Sequence, residues 1–220
     1  MNSLFSICGN VTVITGGTGV LGRAIAQYLA LEGAHVIILG RKEEVGQQIV
    51  ATVREALAQS SSDGIIDFMK TDVLDRDLVR QNCDAILQRF GRIDTLLNAA
   101  GGNMPGATIG PDSTFFDLQV ADFQKVLDLN LTGTVLPTQV FLKQMAVQGK
   151  GAIVNFSSMS AFRPLTRVAG YGVAKAGVSN FTAFMATEVA KKFSTGIRVN
   201  AIAPGFFLTE QNRTLLTNPD

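Results

Sequence analysis

Short runs of consecutive apolar residues alternate with longer stretches of helical periodicity along the whole chain. Strands that are buried on both faces of a parallel sheet are typically continuous apolar runs, whereas surface helices repeat apolar residues about every 3.6 positions. Six apolar runs are predicted to be strands: Val11–Thr15, Val36–Leu39, Ile65–Met69, Ile93–Leu97, Ala152–Phe156 and Ile197–Ile202. Five periodic stretches between them are predicted to be helices: 20–32, 43–59, 75–90, 122–148 and 171–193.

This alternation predicts the α/β class, with a doubly wound parallel sheet (a Rossmann fold) of strand order 3-2-1-4-5-6. No repeat, linker or charge block divides the chain. Because domains mostly contain about 50–250 residues, the 220 residues are predicted to form a single domain over 1–220.

Glycines or polar residues follow every predicted strand at its carboxyl end. In strand order these are Gly16–Gly22, Arg41, Asp72, Asn98–Gly101, Ser158 and Pro204–Gly205. Ligands of open α/β sheets bind beyond the carboxyl ends of the strands. A ligand site is therefore predicted along this edge, bordered by the Gly/Pro-rich loop Pro105–Pro111.

A glycine-rich loop joins the first predicted strand to the first predicted helix. Its residues are Thr15, Gly16, Gly17, Thr18, Gly19, Val20, Leu21 and Gly22, and three of its glycines satisfy G-x-G-x-x-G. Glycines allow a sharp turn and a close approach of the backbone to a pyrophosphate, which binds at the helix N-terminus. In this strand–turn–helix context, we expect the loop to bind a nucleotide and not to be only a structural turn.

Tyr171 and Lys175 lie four residues apart, and Ser158 precedes Tyr171 by 13 positions. Because a helix places residues i and i+4 on one face, the Lys175 ammonium is expected beside the Tyr171 phenol. A nearby cation favours the ionised phenol, so we expect a lowered Tyr171 pKa and proton exchange near neutral pH. Ser158 is expected to hydrogen-bond the same substrate oxygen. It could instead be an ordinary turn serine, and Ser157 and Ser160 compete for the role.

Composition and charge exclude several other classes of function. The net charge of +1 favours neither nucleic acid nor an anionic membrane surface. No apolar run approaches the ~20 residues of a membrane span, and the N-terminus lacks the features of a signal peptide. Cys8 and Cys83 have no metal-ligand spacing, so we expect reduced thiols in a cytoplasmic protein without a metal site. His35 is the single histidine and is expected to be structural, which makes Ser-His-Asp chemistry improbable.

In their order and spacing, these motifs resemble those of the short-chain dehydrogenase/reductase family across essentially the whole chain. The matching motifs are Thr15–Gly22, Asp72-Val73, Asn98-Ala99-Ala100-Gly101, Asn130, Ser158, Tyr171-x-x-x-Lys175, Arg198-Val199-Asn200, and Pro204-Gly205 followed by Thr209. The resemblance implies an enzyme that transfers a hydride between NAD(P)H and a carbonyl or secondary alcohol. The rival of another class is a non-catalytic NAD(P)-binding sensor or scaffold, which would not need the whole catalytic set.

That resemblance assigns catalytic roles to four side chains. Tyr171 would protonate the alkoxide as hydride reaches a carbonyl carbon, and Ser158 would polarise the substrate oxygen. Lys175 would lower the phenol pKa and hold the nicotinamide ribose. Asn130 would anchor a water that links Lys175 to solvent, although taken alone it could be an asparagine on a helix surface.

Contacts to the cofactor are also implied by the resemblance. Asp72 would accept from the adenine amino group, unless it is a helix N-cap, and residues 98–101 would pack beside the adenosine. Thr209 would meet the carboxamide. The full set is Thr15, Gly16, Gly17, Thr18, Gly19, Val20, Leu21, Gly22, Arg41, Asp72, Val73, Asn98, Ala99, Ala100, Gly101, Tyr171, Lys175, Pro204, Gly205 and Thr209.

The choice between NAD and NADP depends on the end of the second strand. NAD-specific members of the family usually place an acidic residue there to bind the ribose hydroxyls. This chain has Gly40 at that position, followed by Arg41 and Lys42. A guanidinium suits a 2′-phosphate, so we favour NADP(H) on Arg41, the alternative being a solvated Arg-Lys pair that opens the next helix.

Substrate residues are expected on two segments. Arg163 and Arg167 lie between Ser158 and Tyr171, on the segment that borders the substrate in the family, and Asn103 lies just beyond the fourth strand. Two arginines would suit an anionic substrate by bidentate pairing, and the equal alternative is surface solubility. Gln211 and Arg213 fall in the family's lid region.

Two stretches, Thr15–Arg23 and Asn98–Gly106, resemble sugar-acid reductases of the fructuronate reductase (D-mannonate oxidoreductase) type. The resemblance implies a keto sugar acid such as fructuronate, reduced to D-mannonate, in carbohydrate metabolism. The enzymatic alternative is an oxoacyl thioester or another ketone. Helices 122–148 and 171–193 correspond to helices that pair between subunits in the family, so a homodimer or homotetramer is expected.

The chain departs from the family pattern at two places. The single-domain branch usually shows T-G-x-x-x-G-x-G, but Val20 replaces the second of those glycines, as in the extended branch. We interpret this as a variant loop. Family members also continue beyond the Pro-Gly segment into further helix and a seventh strand, which we expect to be missing from a sequence that ends at Asp220.

Overall fold

The computed structural model describes residues 5–207 of the chain. Within that range six parallel strands form one sheet in the order β3-β2-β1-β4-β5-β6, which confirms the predicted doubly wound α/β fold. The strands are β1 (Val11–Thr15), β2 (His35–Gly40), β3 (Ile65–Lys70), β4 (Thr95–Asn98), β5 (Gly151–Phe156) and β6 (Ile197–Ile202).

Six α-helices connect and cover the strands within the described range 5–207. They are α1 (Val20–Leu31), α2 (Glu43–Ala58), α3 (Arg76–Phe90), α4 (Val120–Leu127), α5 (Gly133–Gln148) and α6 (Ala169–Lys192). Local signals set several of their ends. The Asp75 carboxylate caps α3 by accepting from the Leu78 amide at 3.0 Å, and Gly91 and Gly149 end α3 and α5 in the left-handed conformation.

Alternate residues of each central strand pack against different helices. Ile37 and Leu39 of β2 lie in a core with side chains of α3, α5 and α6, whereas Val36 and Ile38 face α1 and α2. Successive side chains of a strand point to opposite faces of the sheet, so both faces are covered and β2 is buried from Val36 to Gly40. None of the helices within residues 5–207 is long and apolar enough to cross a membrane.

The predicted helix 122–148 is interrupted, which corrects the sequence interpretation. It consists of α4, a π-helical turn at Asp128–Thr132 and α5. The side chain of Asn130 donates to the Val126 carbonyl at 2.8 Å and thereby competes for an acceptor that a regular helix uses for its own backbone. Pro137 lies inside α5 and cannot donate to the carbonyl four residues before it.

Strand β4 lies further along the chain than predicted, at Thr95–Asn98 instead of Ile93–Leu97. The backbone of Ile93 is held by a side chain and not by a neighbouring strand. Its amide donates to Oε1 of Gln148 at 2.9 Å, and its carbonyl accepts from Nε2 of Gln148 at 2.8 Å. Asn98 consequently belongs to the strand, where it pairs with Thr15 and Asn155.

Candidate active site

The glycine-rich loop between β1 and α1 packs so tightly that side chains cannot be added to it. Gly16 has φ +65°, and a Cβ there would lie 2.7 Å from the Ala100 backbone, while a Cβ on Gly22 would overlap the Gly16 carbonyl oxygen. Gly19 is exposed and caps α1 without a side-chain hydrogen bond. The first helical amides have no intrahelical acceptors, and α1 has no acidic residue in its first turn. The loop therefore fits the pyrophosphate of a dinucleotide.

Val20, the residue that departs from the family pattern, is the first residue of α1 and is 42% exposed. Its side chain projects from the loop and does not fill the space between the loop and the sheet. Thr18 and Leu21 are half-buried beside it. The substitution is thus compatible with the strand–turn–helix geometry of the loop.

At the end of β2, the position that is often acidic in NAD-specific relatives is closed. A Cβ on Gly40 would lie 2.8 Å from the side chain of Thr18. Arg41 follows immediately and is exposed. An exposed cation is therefore available where β2 meets the ligand edge.

Asp72 is half-buried after β3, and its carboxylate accepts from the Leu74 amide at 3.0 Å. The N-cap of α3 is Asp75, so the alternative interpretation of Asp72 as a helix cap is wrong. Val73 is buried, and its side chain packs against Gly133 at the start of α5. Val73 could therefore contact a ligand only through its backbone.

The side chain of Asn98 points into the sheet and not towards the ligand edge. Asn98 is 1% exposed, and its Nδ2 donates to Thr138 and to Asn155, each at 2.9 Å. This removes the Asn98 side chain from the expected contacts with adenosine. Ala99 and Ala100 do reach the glycine-rich loop, because their amides donate to the carbonyl and to the hydroxyl of Thr15.

Asn130 is fully buried, so the alternative of an asparagine on a helix surface is wrong. Its Nδ2 donates to the Gly102 carbonyl at 2.7 Å, and its Oδ1 accepts from the Gly102 amide at 3.2 Å. A Cβ on Gly101 would lie 2.6 Å from this Oδ1 and 3.3 Å from Nζ of Lys175. The π-helical turn thus fixes the loop after β4 beside Lys175.

Three serines compete for the role beside Tyr171, and their contacts differ. Ser157 is within 2.6 Å of the Ser179 hydroxyl of α6, while Ser160 has a buried hydroxyl without a partner among the described residues. Ser158 accepts from the Ser160 amide at 3.1 Å and hydrogen-bonds the Tyr171 phenol. The geometry therefore favours Ser158 as the serine that shares a substrate oxygen with Tyr171.

Tyr171 and Lys175 lie on one face of α6, with Nζ 5.4 Å from the ring centroid. Lys175 is 4% exposed and donates to the Phe156 carbonyl at 2.7 Å, and burial lowers its pKa to about 8. Burial raises the pKa of the Tyr171 phenol, and the hydrogen bond from Ser158 only partly offsets this. The predicted lowering of the Tyr171 pKa by Lys175 is wrong, because burial of the phenol raises its pKa.

The expected substrate arginines, Arg163 and Arg167, are both exposed. Arg163 follows the 3₁₀ turn Met159–Ala161, and its amide donates to the Met159 carbonyl. Arg167 adopts a left-handed backbone with φ 72°, and its carbonyl accepts from the Ile109 amide. This bond joins the segment before α6 to the loop after β4.

Asn103 lies on that loop and has one unused acceptor. Its Nδ2 donates to the Thr108 hydroxyl at 2.6 Å, and Thr108 donates in turn to the Met104 carbonyl at 3.0 Å. The buried Oδ1 of Asn103 has no partner among the described residues. A substrate hydroxyl or a water is the kind of donor that this oxygen requires.

After β6, the Pro204 carbonyl accepts from the Met159 amide at 3.1 Å, which brings the Pro204-Gly205 segment beside the Ser158 turn. Thr209, Gln211 and Arg213 lie outside the described residues. Within residues 5–207, no three His, Cys, Asp or Glu side chains are grouped as metal ligands would be.

Three features of this edge were missed by the sequence interpretation. The carbonyl of Phe156 binds Lys175, the backbone of Gly102 binds Asn130, and Met159 connects the serine turn to Pro204. All three contacts use backbone groups, which no side-chain pattern reveals. The doubled glycine at 101–102 was the available signal for a close approach of the chain.

Comparison with known proteins agrees with this fold and this edge. The family described as short chain dehydrogenase matches residues 10–220. An uncharacterized oxidoreductase, UxuB of Bacillus subtilis (strain 168), is 43% identical over 223 residues, which cover 98% of this chain and 77% of the relative. A 3-oxoacyl-[acyl-carrier-protein] reductase from Synechocystis is 33% identical over 97% of this chain and 81% of its own length.

Among solved structures, a protein from Haemophilus influenza assigned as a D-mannonate oxidoreductase, with bound NAD, superposes with a TM-score of 0.85. It is 37% identical, and the match covers 97% of this chain and 77% of that one. The chain therefore belongs to the short-chain dehydrogenase/reductase family. It is an NAD(P)-dependent oxidoreductase, as the sequence predicted.

Proposed function

We propose that this protein reduces a carbonyl to a secondary alcohol, with Tyr171 as the proton donor. The observation that carries the proposal is the grouping of the Ser158 hydroxyl, the Tyr171 phenol and the Lys175 ammonium at the carboxyl end of β5 and the start of α6. When bound, NAD(P)H supplies the hydride. A phenol with a raised pKa is protonated at neutral pH, which is the form a general acid requires.

Ser158 and Tyr171 together hold the reacting oxygen. Two donors aimed at one oxygen stabilise the negative charge that develops there. Lys175 is anchored by Phe156 and adjoins the phenol, so it is placed to hold the nicotinamide ribose and to return a proton to Tyr171. Asn130 supports both by binding Gly102 and thereby fixing Gly101 beside Lys175.

For the cofactor we propose the glycine-rich loop at the pyrophosphate, Asp72 and the backbone of Val73 at the adenine, and Ala99–Gly101 beside the adenosine. We propose that Pro204, Gly205 and Thr209 contact the nicotinamide end of the cofactor. Support comes from the closed packing of Gly16 and Gly22 and from the uncapped start of α1.

Arg41 is proposed to favour NADP(H) over NAD(H), since it is exposed at the end of β2, where Gly40 provides no carboxylate for the ribose hydroxyls. Arg41→Ala is expected to lower kcat/KM for NADPH by about tenfold or more and to change kcat/KM for NADH far less. Arg80→Ala, an exposed arginine of α3, is the control. An equal loss of kcat/KM for NADPH and NADH in Arg41→Ala would show that the guanidinium does not bind the 2′-phosphate.

The proposed substrate is a keto sugar acid such as fructuronate, reduced to D-mannonate. Similarity to the protein assigned as a D-mannonate oxidoreductase supports this class. So do the unused acceptor of Asn103, which suits a substrate hydroxyl, and the cationic segment with Arg163 and Arg167 before α6. A polyhydroxy acid would use both features.

The direct test follows the absorbance of reduced nicotinamide with fructuronate and with a neutral ketone of similar size, using NADH and NADPH separately. Turnover of fructuronate, with KM raised by Arg163→Ala or Arg167→Asn but not by Arg80→Ala, is the expected result. Asparagine is used at position 167 because it tolerates the left-handed backbone. Turnover of the neutral ketone alone would overturn the sugar-acid proposal while preserving the reductase.

A second substrate class has its own support. Met159 and Phe162 flank Ser158 on the serine turn and are 44% and 66% exposed. Apolar side chains beside the reacting oxygen suit a ketone or oxoacyl thioester with an apolar chain. The neutral ketone in the same assay separates this class from the acidic one.

We further propose a homo-oligomer that pairs subunits through α5 and α6. These helices expose Val147, Val173 and Phe184 at 79%, 55% and 60%. Light scattering of the purified full chain tests this, with a monomeric mass contradicting it. A cytoplasmic location is proposed from the free thiols of Cys8 and Cys83.

A further inference from the structure

Consecutive residues at the end of β5 are each hydrogen-bonded to α6. Asn155 donates through Nδ2 to the Thr182 hydroxyl at 2.9 Å, the Phe156 carbonyl accepts from Lys175 at 2.7 Å, and the Ser157 and Ser179 hydroxyls lie 2.6 Å apart. We call this set the polar seam; it comprises Asn155, Phe156, Ser157, Lys175, Ser179 and Thr182. Apolar packing alone would join a strand and a helix without fixing their relative rotation.

The helix residues of the seam repeat with helical spacing. Lys175, Ser179 and Thr182 stand at positions i, i+4 and i+7, so they share the face of α6 that meets the sheet. Lys175 and Thr182 are 4% and 7% exposed. These three polar residues therefore interrupt a buried face of α6 that is otherwise apolar at Ala174, Val178 and Val189, and each polar group has a partner across the seam.

Proton counting fixes the direction of the bond between Asn155 and Thr182. The Thr182 hydroxyl gives its only proton to the Val178 carbonyl at 2.7 Å, so it can only accept from Asn155. The Oδ1 of Asn155 then faces Asn98, whose Nδ2 donates to it at 2.9 Å and also to Thr138 of α5. The seam thus extends through Asn98 to α5, the helix that follows the π-helical turn with Asn130.

We propose that Ser179 and Thr182, with Asn155, are positioning residues that hold α6 in the one rotation at which Lys175 meets the Phe156 carbonyl and Tyr171 meets Ser158. This rests on the proposed function of Tyr171 and Lys175. None of the three touches the reacting groups of the proposed mechanism. They act through Lys175, because the strand residues that they bind flank the carbonyl that anchors its ammonium.

Position along α6 provides a matched control. Thr182 and Thr187 lie on the same helix, and each donates to the carbonyl four residues before it. Thr187 is exposed and makes no contact with the seam, whereas Thr182 accepts from Asn155. Thr182→Val and Thr187→Val make the same chemical change. Any difference between the effects of the two substitutions therefore measures what the polar seam contributes. Ser179→Ala provides a second, milder seam variant.

The first readout needs no substrate. Lysine labelled with ¹³C at Cε reports the titration of Lys175, whose signal is assigned by its loss in Lys175→Met. In the native chain and in Thr187→Val the midpoint is expected near 8, the value that burial gives. In Thr182→Val and Ser179→Ala the midpoint is expected to rise by about one pH unit or more, because a released ammonium regains water.

The second readout is turnover of whichever carbonyl probe the native chain reduces. Thr182→Val is expected to lower kcat about tenfold or more with little change in KM for the cofactor, since small misplacements of catalytic groups are costly. Folded variants with an unshifted Lys175 titration and native kcat would overturn the proposal. Native turnover in Tyr171→Phe would instead overturn the proposed function, and the lysine titration would still decide the inference.

Discussion

Ser158 and Ser160 are two positions apart and both buried, yet only one of them contacts Tyr171. Ser158→Ala is expected to lower kcat by about 100-fold, because it removes a donor to the charged oxygen of the transition state. Ser160→Ala is the matched control and should leave kcat near the native value, since its hydroxyl has no partner among the described residues. A larger loss of kcat in Ser160→Ala than in Ser158→Ala, measured in the same carbonyl assay, would show that Ser160 holds the substrate oxygen.

Lys175 gives the folded protein a dependence on pH. Burial lowers its pKa from 10.5 to about 8, so between those pH values the unfolded chain holds a proton that the folded chain has released. The unfolded state binds more protons in this range and becomes less stable relative to the folded state as the pH rises. The contribution of Lys175 to folding stability therefore increases from pH 8 to 10. Below pH 8 both states carry the proton and the cost of burying the ammonium is constant.

Lys175→Met should abolish this dependence. Its unfolding free energy, relative to that of the native chain, is expected to fall by roughly 3 kcal/mol between neutral pH and pH above 10, at about 1.4 kcal/mol for each unit of pKa. Urea unfolding at a series of pH values measures it, and using the difference between the two proteins cancels most of the contribution of Tyr171. A difference that stays flat with pH would mean that the ammonium is not buried.

At the scale of elements, the π-helical turn between α4 and α5 is hydrogen-bonded to the loop after β4 through Asn130. Asn130→Ala would remove two hydrogen bonds to Gly102 and one to Val126. Because this removes two part-buried hydrogen bonds and one buried hydrogen bond, we expect a loss of about 3 kcal/mol of stability. Asn180→Ala, on the exposed side of α6, should cost far less. Thermal unfolding compares them, and equal losses would contradict a role for the turn.

Elements were predictable wherever burial alone defined them. β1 and β6 were found within their predicted bounds, because β1 is buried at every position and β6 begins with alternating buried and exposed residues. The shift of β4 depended on Gln148, which is 55 positions from Ile93 and holds its backbone. The break at Asn130 depended on a side chain bonding a carbonyl of its own helix. Such long-range or side-chain contacts leave no periodic signal.

For the whole molecule, the topology itself builds the site. The parallel order β3-β2-β1-β4-β5-β6 brings the carboxyl ends of distant segments to one edge, so that Gly16 meets Ala100 and Phe156 meets Lys175. The sequence predicted this edge because each strand was followed by glycines or polar residues. It could not predict the raised Tyr171 pKa, which arises from burial of the folded site and not from the spacing to Lys175.

Turnover and cofactor binding in Tyr171→Phe, measured together on the full chain, test the central claim most directly. The account predicts that kcat falls by about 1000-fold while the dissociation constant for NAD(P)H changes by less than about threefold, since only a general acid is lost. Tyr28→Phe, which alters the other, exposed tyrosine, should leave both values unchanged. A Tyr171→Phe protein that retains kcat within about tenfold of the native value would contradict the account.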